Sequence, residues 1–385
     1  MINTDIWRYI SMKVEILNCE KIKEGYIIKL NDGNGPFYID GKGGQLGDRG
    51  TLGESNVLEV KDGSIITDKE VPLGEQEYTI DMERRKDIAC QHTAQHLFSA
   101  LAYNDYQLNT VGFRMAEEYT TVDLDSNTIS EETITELENK ANEIIRKAIE
   151  LKIYTLNHEE ALKIEGLRKA IKDKVTGDVR FVEIPEIDLG ACAGFHVENT
   201  KDIKLFKILS HEKIKGNYTR FFFIAGDRAI KDYAFKHELS KELCHIFSCK
   251  DYEILTMLNK SLEEKKKTET EMKMIASEFA ELLGEKLMRE AEEINGYKFV
   301  IYTGDKMTVQ YLPRYIAPED YILITGSEDS YSIISNKINC KEFLKELTSF
   351  NTNIKGGGNQ IKGNFKGKIS KEELKKQLET FLNKL

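Results

Sequence analysis

Two histidines stand four positions apart in the stretch QHTAQHLFSA, residues 91–100. In a helix His92 and His96 point the same way, because positions i and i+4 share one face. Both imidazoles can then reach one point beside the helix, and a metal ion is the occupant that this spacing indicates. Because the pattern is short, two ordinary histidines on a half-buried face are the alternative.

A second pair of ligand-type residues follows about a hundred positions later. The stretch DLGACAGFHVENT contains Cys192 and His196, again four positions apart. Zinc is bound tetrahedrally by imidazole nitrogen and thiolate sulfur, so two such pairs from separate segments make a complete ligand set. Together the pairs predict a zinc site formed by three histidines and one cysteine.

Cys90 and the four other histidines are expected to lie outside this metal site. Cys90 lies two residues before His92, roughly 200° around the helix, so we expect it to point away from the metal and into the core. The other histidines are expected to be ordinary surface or core residues: His158, His211, His237 and His245.

A complete tetrahedral set leaves the role of the metal open, because catalytic zinc sites usually keep one coordination position for water. Either one ligand is displaced, which leaves a Lewis-acid site, or the metal organises the structure and other groups activate the nucleophile. The chain has no GxSxG elbow and no Walker-type phosphate loop. Adenylation and ATP hydrolysis therefore have no sequence support, and the catalytic residues stay unassigned.

The elements that must position these residues predict an α+β fold. Short runs between glycine-bearing turns predict a β-rich glycine-motif domain over 1–80. Helical spacing from residue 81, followed by several strands, predicts an α+β domain over 81–235 that holds the metal site. A stretch rich in Glu, Lys, Leu and Met predicts a long helix or helical hairpin over 236–295. Alternating strands and helices predict a small α/β domain over 296–385.

Three helical segments are the clearest. One covers 81–102, and a second opens with Ser130 as its N-terminal cap and continues to 151. In the third, apolar residues recur three and four positions apart, which is typical of a spacer or pairing helix: Leu255, Leu258, Leu262, Met272, Ile275, Phe279 and Leu282. A homodimer through 236–385 and a solvent-exposed spacer in a monomer are the alternatives.

The composition is that of an ordinary globular protein, with 385 residues, 40% hydrophobic content and a formal charge of −10. This acidic balance argues against a surface that binds nucleic acid throughout. Two local stretches, 161–180 and 353–368, are basic, and each is either a phosphate-binding patch or a solvated surface. No stretch is apolar enough for a membrane span, and the beginning of the chain lacks the order of a signal peptide. Six scattered cysteines without a CxxC pair predict reduced thiols, so the expected location is the cytoplasm.

Several stretches together resemble a known family. HTAQHLFSAL, NTVGFRMAEEYTTVDLD and CAGFHVENTKDIKLFKILSHEKIKGNYTRFFFIAGDRAI resemble the editing domain of alanyl-tRNA synthetase. The resemblance is closest to its free-standing relatives, the alanyl-tRNA editing proteins called AlaX. PFYIDGKGGQLGDRG resembles the glycine-rich segment that precedes this domain. GGGNQIKGNFKG resembles a loop of the C-terminal domain that the long form shares with the synthetase. Since no synthetase catalytic domain precedes these stretches, we expect the editing half alone.

The resemblance implies a site and an activity. It assigns zinc to His92, His96, Cys192 and His196. It implies a zinc-dependent hydrolase that cleaves the ester of serine or glycine wrongly attached to tRNA(Ala). Gly43, Gly44 and Gln45 match the family's GGQ segment and are implied to bind substrate at the acceptor end. For the glycines, a tight turn that needs a positive φ is the alternative.

The sequence departs from the family pattern at several positions. Gly35 stands where the family commonly has threonine, Leu46 replaces the proline after GGQ, Lys42 is an extra residue, and the usual CGGTH is CAGFH. The loss of a hydroxyl is expected to change the preference among serine, glycine and alanine. On this hypothesis, Gly35→Thr would sharpen discrimination against alanyl-tRNA.

Two other functions fit parts of the same pattern. A non-enzymatic module for tRNA binding or oligomerisation would use the zinc only for structure. A zinc hydrolase of small esters or amides would be active without tRNA.

Overall fold

The computed structural model describes residues 12–171 and 177–385. The chain divides into two compact units, one that ends at Ser240 and one that begins at Lys241. Each unit is a mixture of helices and sheets, so the predicted α+β class is confirmed at this level. Within the described ranges, no helix combines the length and the apolar composition needed to cross a membrane.

The first unit begins with a closed antiparallel barrel whose strand order is β1-β2-β5-β4-β3-β6. Alternate residues such as Ile16, Ile28, Leu52 and Val60 fill its interior, as the period-2 geometry of strands requires. The strands are β1 (Met12–Ile22), β2 (Gly25–Leu30), β3 (Gly50–Leu52), β4 (Ser55–Lys61), β5 (Ser64–Thr67) and β6 (Gly74–Ile80). The loop between β2 and β3 carries the GGQ segment.

Helix α1 (Met82–Tyr106) follows the barrel and carries His92 and His96. The side chain of Asp81 caps its first turn by accepting a hydrogen bond from the Arg84 amide. Every residue from 88 to 102 is buried, so the helix is enclosed on all sides. Its polar side chains therefore have protein partners, as when Gln91 exchanges two hydrogen bonds with the backbone of Ala225.

The remainder of the first unit packs around α1. An antiparallel sheet of order β12-β13-β8-β7 and helix α2 form one core with the helix, and α2 begins after the predicted Ser130 cap. A three-stranded sheet, β11-β10-β9, lies beside them. The elements are β7 (Thr110–Met115), β8 (Thr120–Leu124), α2 (Glu131–Arg146), β9 (Lys152–Leu156), α3 (His158–Ala161), β10 (Val179–Ile184), β11 (Asp188–Ala191), β12 (Phe206–Ile214), β13 (Tyr218–Ala225) and α4 (Asp227–Phe247).

The predicted helical segment over 236–295 contains two helices and ends in a short strand, Glu292–Ile294, instead of a helix. The first, α4, begins at Asp227, nine residues before the predicted start, and ends at Phe247. The second, α5 (Ile254–Arg289), has most of its surface exposed to solvent. Ser248 adopts a positive φ of 51° after α4, and this left-handed residue ends the helix.

The second unit contains α5 and a six-stranded mixed sheet of order β14-β15-β16-β17-β19-β18. Strands β15 and β16 are parallel and are joined through α6, as parallel neighbours require. Phe299 and Ile301 pack with α7 and α8, whereas Val300 packs on the opposite face with residues of α5. The elements are β14 (Glu292–Ile294), β15 (Tyr297–Thr303), α6 (Lys306–Tyr311), β16 (Tyr321–Ser327), β17 (Ser330–Ile334), α7 (Cys340–Phe350), β18 (Lys355–Gly358), β19 (Lys362–Lys366) and α8 (Lys371–Leu382).

The two basic stretches have different structures. The stretch 353–368 forms the β18–β19 hairpin at the edge of the second unit's sheet. In the stretch 161–180, residues 172–176 lie outside the described residues, and Arg168 and Arg180 form contacts within the first unit. That stretch is therefore not simply a row of exposed positive charges.

Candidate metal centre

The four ligand-type residues predicted from the two spacings lie together. One ligand atom from each of His92, His96, Cys192 and His196 lies within 4.8 Å of the others. The imidazole rings of His92 and His196 have centroids 4.5 Å apart, and those of His96 and His196 are 4.7 Å apart. Cys90 is buried and its sulfur faces the carbonyl of Ile203, so it lies outside this cluster as expected.

Cys192 and His196 come from the loop that follows β11, and Arg180 holds this loop. The Arg180 guanidinium donates hydrogen bonds to the carbonyls of Cys192 at 2.7 Å and Gly194 at 2.9 Å. The amide of Gly194 lies 3.4 Å from the Cys192 sulfur. The loop conformation therefore depends on an arginine of β10, the central strand of the three-stranded sheet, which sequence spacing did not single out.

The tautomer of His92 follows from its partner Gln45. The amide N–H of Phe195 donates to a Gln45 side-chain atom at 3.0 Å, so this atom must be the oxygen. His92 Nδ1 lies 2.8 Å from the same oxygen and therefore carries the hydrogen that it donates. The Nε2 atom of His92 is left with a lone pair, and it lies 3.6 Å from the Cys192 sulfur.

The same logic fixes His196. The hydroxyl of Thr93 donates to the carbonyl of Ala89 at 2.8 Å and accepts from the amide of Val197 at 3.1 Å. Its single hydrogen is thus in use, so at 3.1 Å from His196 Nδ1 it can only accept. Nδ1 of His196 is the protonated nitrogen, and Nε2 faces the Cys192 sulfur at 3.2 Å.

His96 is oriented by a buried carboxylate. Its Nδ1 lies 2.9 Å from Asp188 Oδ2, and Arg168 donates to the other carboxylate oxygen at 2.6 Å. Burial would raise the pKa of Asp188, but His96 and Arg168 lower it to about 2, so the carboxylate is ionised at neutral pH. A carboxylate accepts only, and Nδ1 of His96 therefore donates to it.

The donor set fits a metal ion. Three Nδ1–H groups point outward to Gln45, Asp188 and Thr93, which is how proteins orient metal-binding histidines. Burial alone would raise the pKa of the Cys192 thiol, but the neighbouring histidines hold it well below its ordinary value. Burial would lower the pKa of His96, but Asp188 and Cys192 raise it to about 9, so a cation bound at this point would take the place of a proton. Three nitrogen lone pairs and the anionic sulfur would then converge on that cation. The cluster could therefore hold a metal ion.

Two glycines are required by close packing around His92. A Cβ built on Gly194 would lie 2.2 Å from His92 Cε1, and one on Gly44 would lie 2.6 Å from the Phe113 ring. Phe113 stacks on His92 with centroids 5.3 Å apart. Gly43 and Gly44 have φ values of 67° and 82°, so the glycines of the GGQ segment also satisfy the tight-turn interpretation.

Gly35 is poorly suited to the substitution proposed from sequence. Its φ is 54°, a conformation that β-branched residues rarely adopt, and an added Cβ would lie 3.1 Å from Leu30. Gly35→Thr would therefore strain the loop of the barrel. Its effect on the selectivity between seryl- and alanyl-tRNA stays a prediction.

The sequence reasoning missed four residues of this site: Thr93, Arg168, Arg180 and Asp188. Asp188 carries the one available signal, because metal-binding histidines commonly donate to a carboxylate and Asp188 lies close in sequence to a predicted ligand, Cys192. Thr93 contacts the His196 side chain from 103 positions away, and Arg180 contacts backbone carbonyls, so neither residue leaves a pattern in the sequence.

Residues 179–222 match the family described as "Threonyl and Alanyl tRNA synthetase second additional domain", and this segment includes Cys192 and His196. The chain thus contains a segment that matches this family of synthetase-associated domains. Over most of its length it is homologous to alanine–tRNA ligases and to an alanyl-tRNA editing protein, as the predicted relationship required.

Sequence identities of about 30% support this relationship. The chain is 30% identical over 353 residues to an alanine–tRNA ligase of Rickettsia akari, covering 84% of this chain and 40% of the ligase. It is 31% identical over 236 residues to alanyl-tRNA editing protein Aarsd1 of Bos taurus, covering 60% and 52%. The ligase of Thermoanaerobacter pseudethanolicus is 29% identical over 282 residues, covering 69% and 32%. The chain therefore spans about half, or less, of these relatives.

Proposed function

We propose that this protein is a trans-editing deacylase that hydrolyses the ester of serine or glycine mischarged on tRNA(Ala). The observation that carries the proposal is the cluster of His92, His96, Cys192 and His196, whose three Nε2 atoms and thiolate converge inside a chain related to an alanyl-tRNA editing protein. We propose zinc as the metal, since three imidazoles and one thiolate form a donor set that zinc favours.

A bound zinc would supply a Lewis acid that can polarise the carbonyl oxygen of an ester. The protein's own residues have separate tasks. Gln45, Asp188 and Thr93 orient the three imidazoles, and Arg180 holds the loop that carries Cys192 and His196. The lysine-bearing β18–β19 hairpin is a second surface that could contact tRNA phosphates. We place the activity in the cytoplasm, in keeping with six cysteines of which none forms a disulfide bond within the described residues.

The completeness of the ligand set favours one alternative function. Structural zinc sites have four protein ligands, whereas catalytic sites usually keep one position open. A tRNA-binding or oligomerisation module with a structural zinc is therefore the second candidate. The two candidates differ in one observable property: the binding module would bind tRNA without releasing an amino acid from it.

The test is amino acid release from seryl-, glycyl- and alanyl-tRNA(Ala) by the full chain. We expect release of serine or glycine with intact tRNA, loss of that activity after removal of zinc with a chelator, and recovery when zinc is restored. Alanine should be released more slowly. A zinc-loaded, folded protein that binds the tRNA and releases nothing would contradict the deacylase and support the binding module. Cleavage of small esters without tRNA would instead indicate a general hydrolase.

We also propose that a second copy of the chain covers helix α5. Two apolar clusters on this helix are more than a third exposed to solvent: Leu255, Leu258 and Leu262 near its start, and Met272, Ile275, Phe279 and Leu282 near its end. A charged segment from Glu263 to Glu271 separates them. Apolar clusters of this size are costly to leave in water, so a partner helix is expected.

The charges select an antiparallel arrangement. With two α5 helices antiparallel and centred on Thr268, Glu263 lies opposite Lys273, Lys265 opposite Glu271, and Lys267 opposite Glu269. The apolar cluster of each helix then meets the other cluster of its partner. A parallel pair would place each lysine opposite the same lysine of its partner, which is unfavourable.

Charge exchange on α5 tests this pairing by sedimentation at micromolar concentration and low salt. The wild-type chain should be a dimer. Lys265→Glu with Lys267→Glu should give a monomer, because acids then face Glu271 and Glu269. Adding Glu269→Lys and Glu271→Lys should restore the dimer. A wild-type monomer, or a four-fold variant that stays monomeric while folded, would refute the antiparallel pair.

A further inference from the structure

We infer that Gln45 is a positioning residue for the metal centre, through which the N-terminal barrel completes the ligand arrangement. The inference rests on the proposed metal site. It differs from the substrate-binding role that the sequence resemblance implied for the GGQ segment. The proposal concerns one atom, the side-chain oxygen of Gln45, and the two hydrogen bonds that it accepts.

The Gln45 oxygen joins the two halves of the ligand set. It accepts from Nδ1 of His92, on helix α1, at 2.8 Å. It also accepts from the amide of Phe195, on the loop after β11, at 3.0 Å. Phe195 immediately precedes His196, so this second bond fixes the backbone next to another ligand. Because Gln45 itself belongs to the barrel, one side chain connects three parts of the unit that are distant in sequence.

The burial of Gln45 argues against direct contact between its side chain and a substrate that enters from solvent. Gln45 is 1% exposed, and its side-chain oxygen already accepts two hydrogen bonds. Its amide nitrogen is buried and has no hydrogen-bond partner among the described residues. A buried N–H group without a partner is destabilising. Fold stability alone therefore does not explain a glutamine here, whereas orientation of His92 does.

The surrounding residues leave little freedom for this contact. A Cβ on Gly194 would lie 2.5 Å from the Gln45 oxygen, and one on Gly44 would collide with Phe113, whose ring stacks on His92. The Gly41 amide donates to the carbonyl of Gln45 at 2.9 Å and closes the turn. Gly44 and Gly194 thus leave the room in which Gln45 lies against His92.

The test is the affinity of the full chain for Zn²⁺, measured by competition with a chromophoric chelator, so no tRNA is needed. Gln45→Leu removes the acceptor and should weaken zinc binding about 10- to 100-fold, as loss of an outer-shell partner does. Gln45→Glu retains an acceptor oxygen and should stay close to wild type. Gln76→Leu, a glutamine on β6 of the same barrel, is the matched control and should not change the affinity.

Two further measurements separate positioning from a general loss of structure. The visible spectrum of the Co²⁺-substituted Gln45→Leu protein should show altered ligand geometry, while thermal unfolding of the metal-free protein should be little changed. Gln45→Asn, whose shorter side chain cannot reach both donors, should also weaken binding if Gln45→Leu fails to fold. A folded variant with wild-type affinity and an unchanged Co²⁺ spectrum would overturn the inference. If that variant also shows a raised KM for seryl-tRNA, Gln45 binds substrate instead. Failure of the deacylase proposal alone would leave the zinc titration intact.

Discussion

Gly194→Ala is expected to lower ester hydrolysis on the order of 100-fold and to weaken zinc binding. The added methyl carbon would lie 2.2 Å from Cε1 and 2.4 Å from Nδ1 of His92, whereas favourable carbon contacts lie near 3.5–4.0 Å. His92 or the loop must therefore move by about 1 Å, and a displacement of this size can cost roughly 100-fold in rate. Serine release and zinc content of the purified variant measure the effect.

Gly190→Ala provides the matched control for this glycine. It lies on β11 next to the same centre, but its added Cβ would be 3.6 Å from His96, which is an ordinary contact. We expect zinc content and activity near those of the wild type. Equal activity of the two alanine variants would show that the position of His92 is not critical.

Removal of one half of the ligand set should have the largest effect on zinc content and on serine release. In the double variant Cys192→Ala with His196→Ala, only the two histidines of α1 remain, and two imidazoles do not form the tetrahedral set that zinc requires. Zinc should be lost from the purified protein. Serine release should fall by more than the roughly 100-fold that loss of an outer-shell partner costs.

The control is a second cysteine and histidine pair from the same unit. Cys90 is buried against the Ile203 carbonyl, and His211 pairs with Glu131 at the surface. Cys90→Ala with His211→Ala should retain stoichiometric zinc and most of the activity. Full hydrolysis by a zinc-free Cys192→Ala, His196→Ala variant would exclude the metal from the reaction.

The sequence predicted the ligand pairs because side-chain chemistry and helical period are both local. His92 and His96 needed only the spacing of one helix turn, and the Ser130 cap marked the beginning of α2 correctly. The burial of α1 on every side could not be predicted, because a helix that contains this many polar residues is expected to have a solvent-exposed face. Their partners, such as the backbone of Ala225 for Gln91, lie far along the chain.

The orientation of the ligands could not be predicted from sequence. It depends on Gln45, Asp188 and Thr93, and two of these reach their histidines across 47 and 92 residues. The four-ligand pattern gives no information about which nitrogen of each ring is protonated. That choice is made by hydrogen bonds that exist only after distant segments pack together.

The connection of Gln45 to Phe195 also sets an order of events during folding. These residues are 150 positions apart, and His92 and Cys192 are 100 apart. Closing loops of this length costs chain entropy before the contacts stabilise the fold, so such contacts form late. The barrel, α1 and the loop after β11 must each be in place before the four ligands meet. Metal ions would then bind the native protein in preference to the unfolded chain, and their occupancy would report completed folding of the whole first unit.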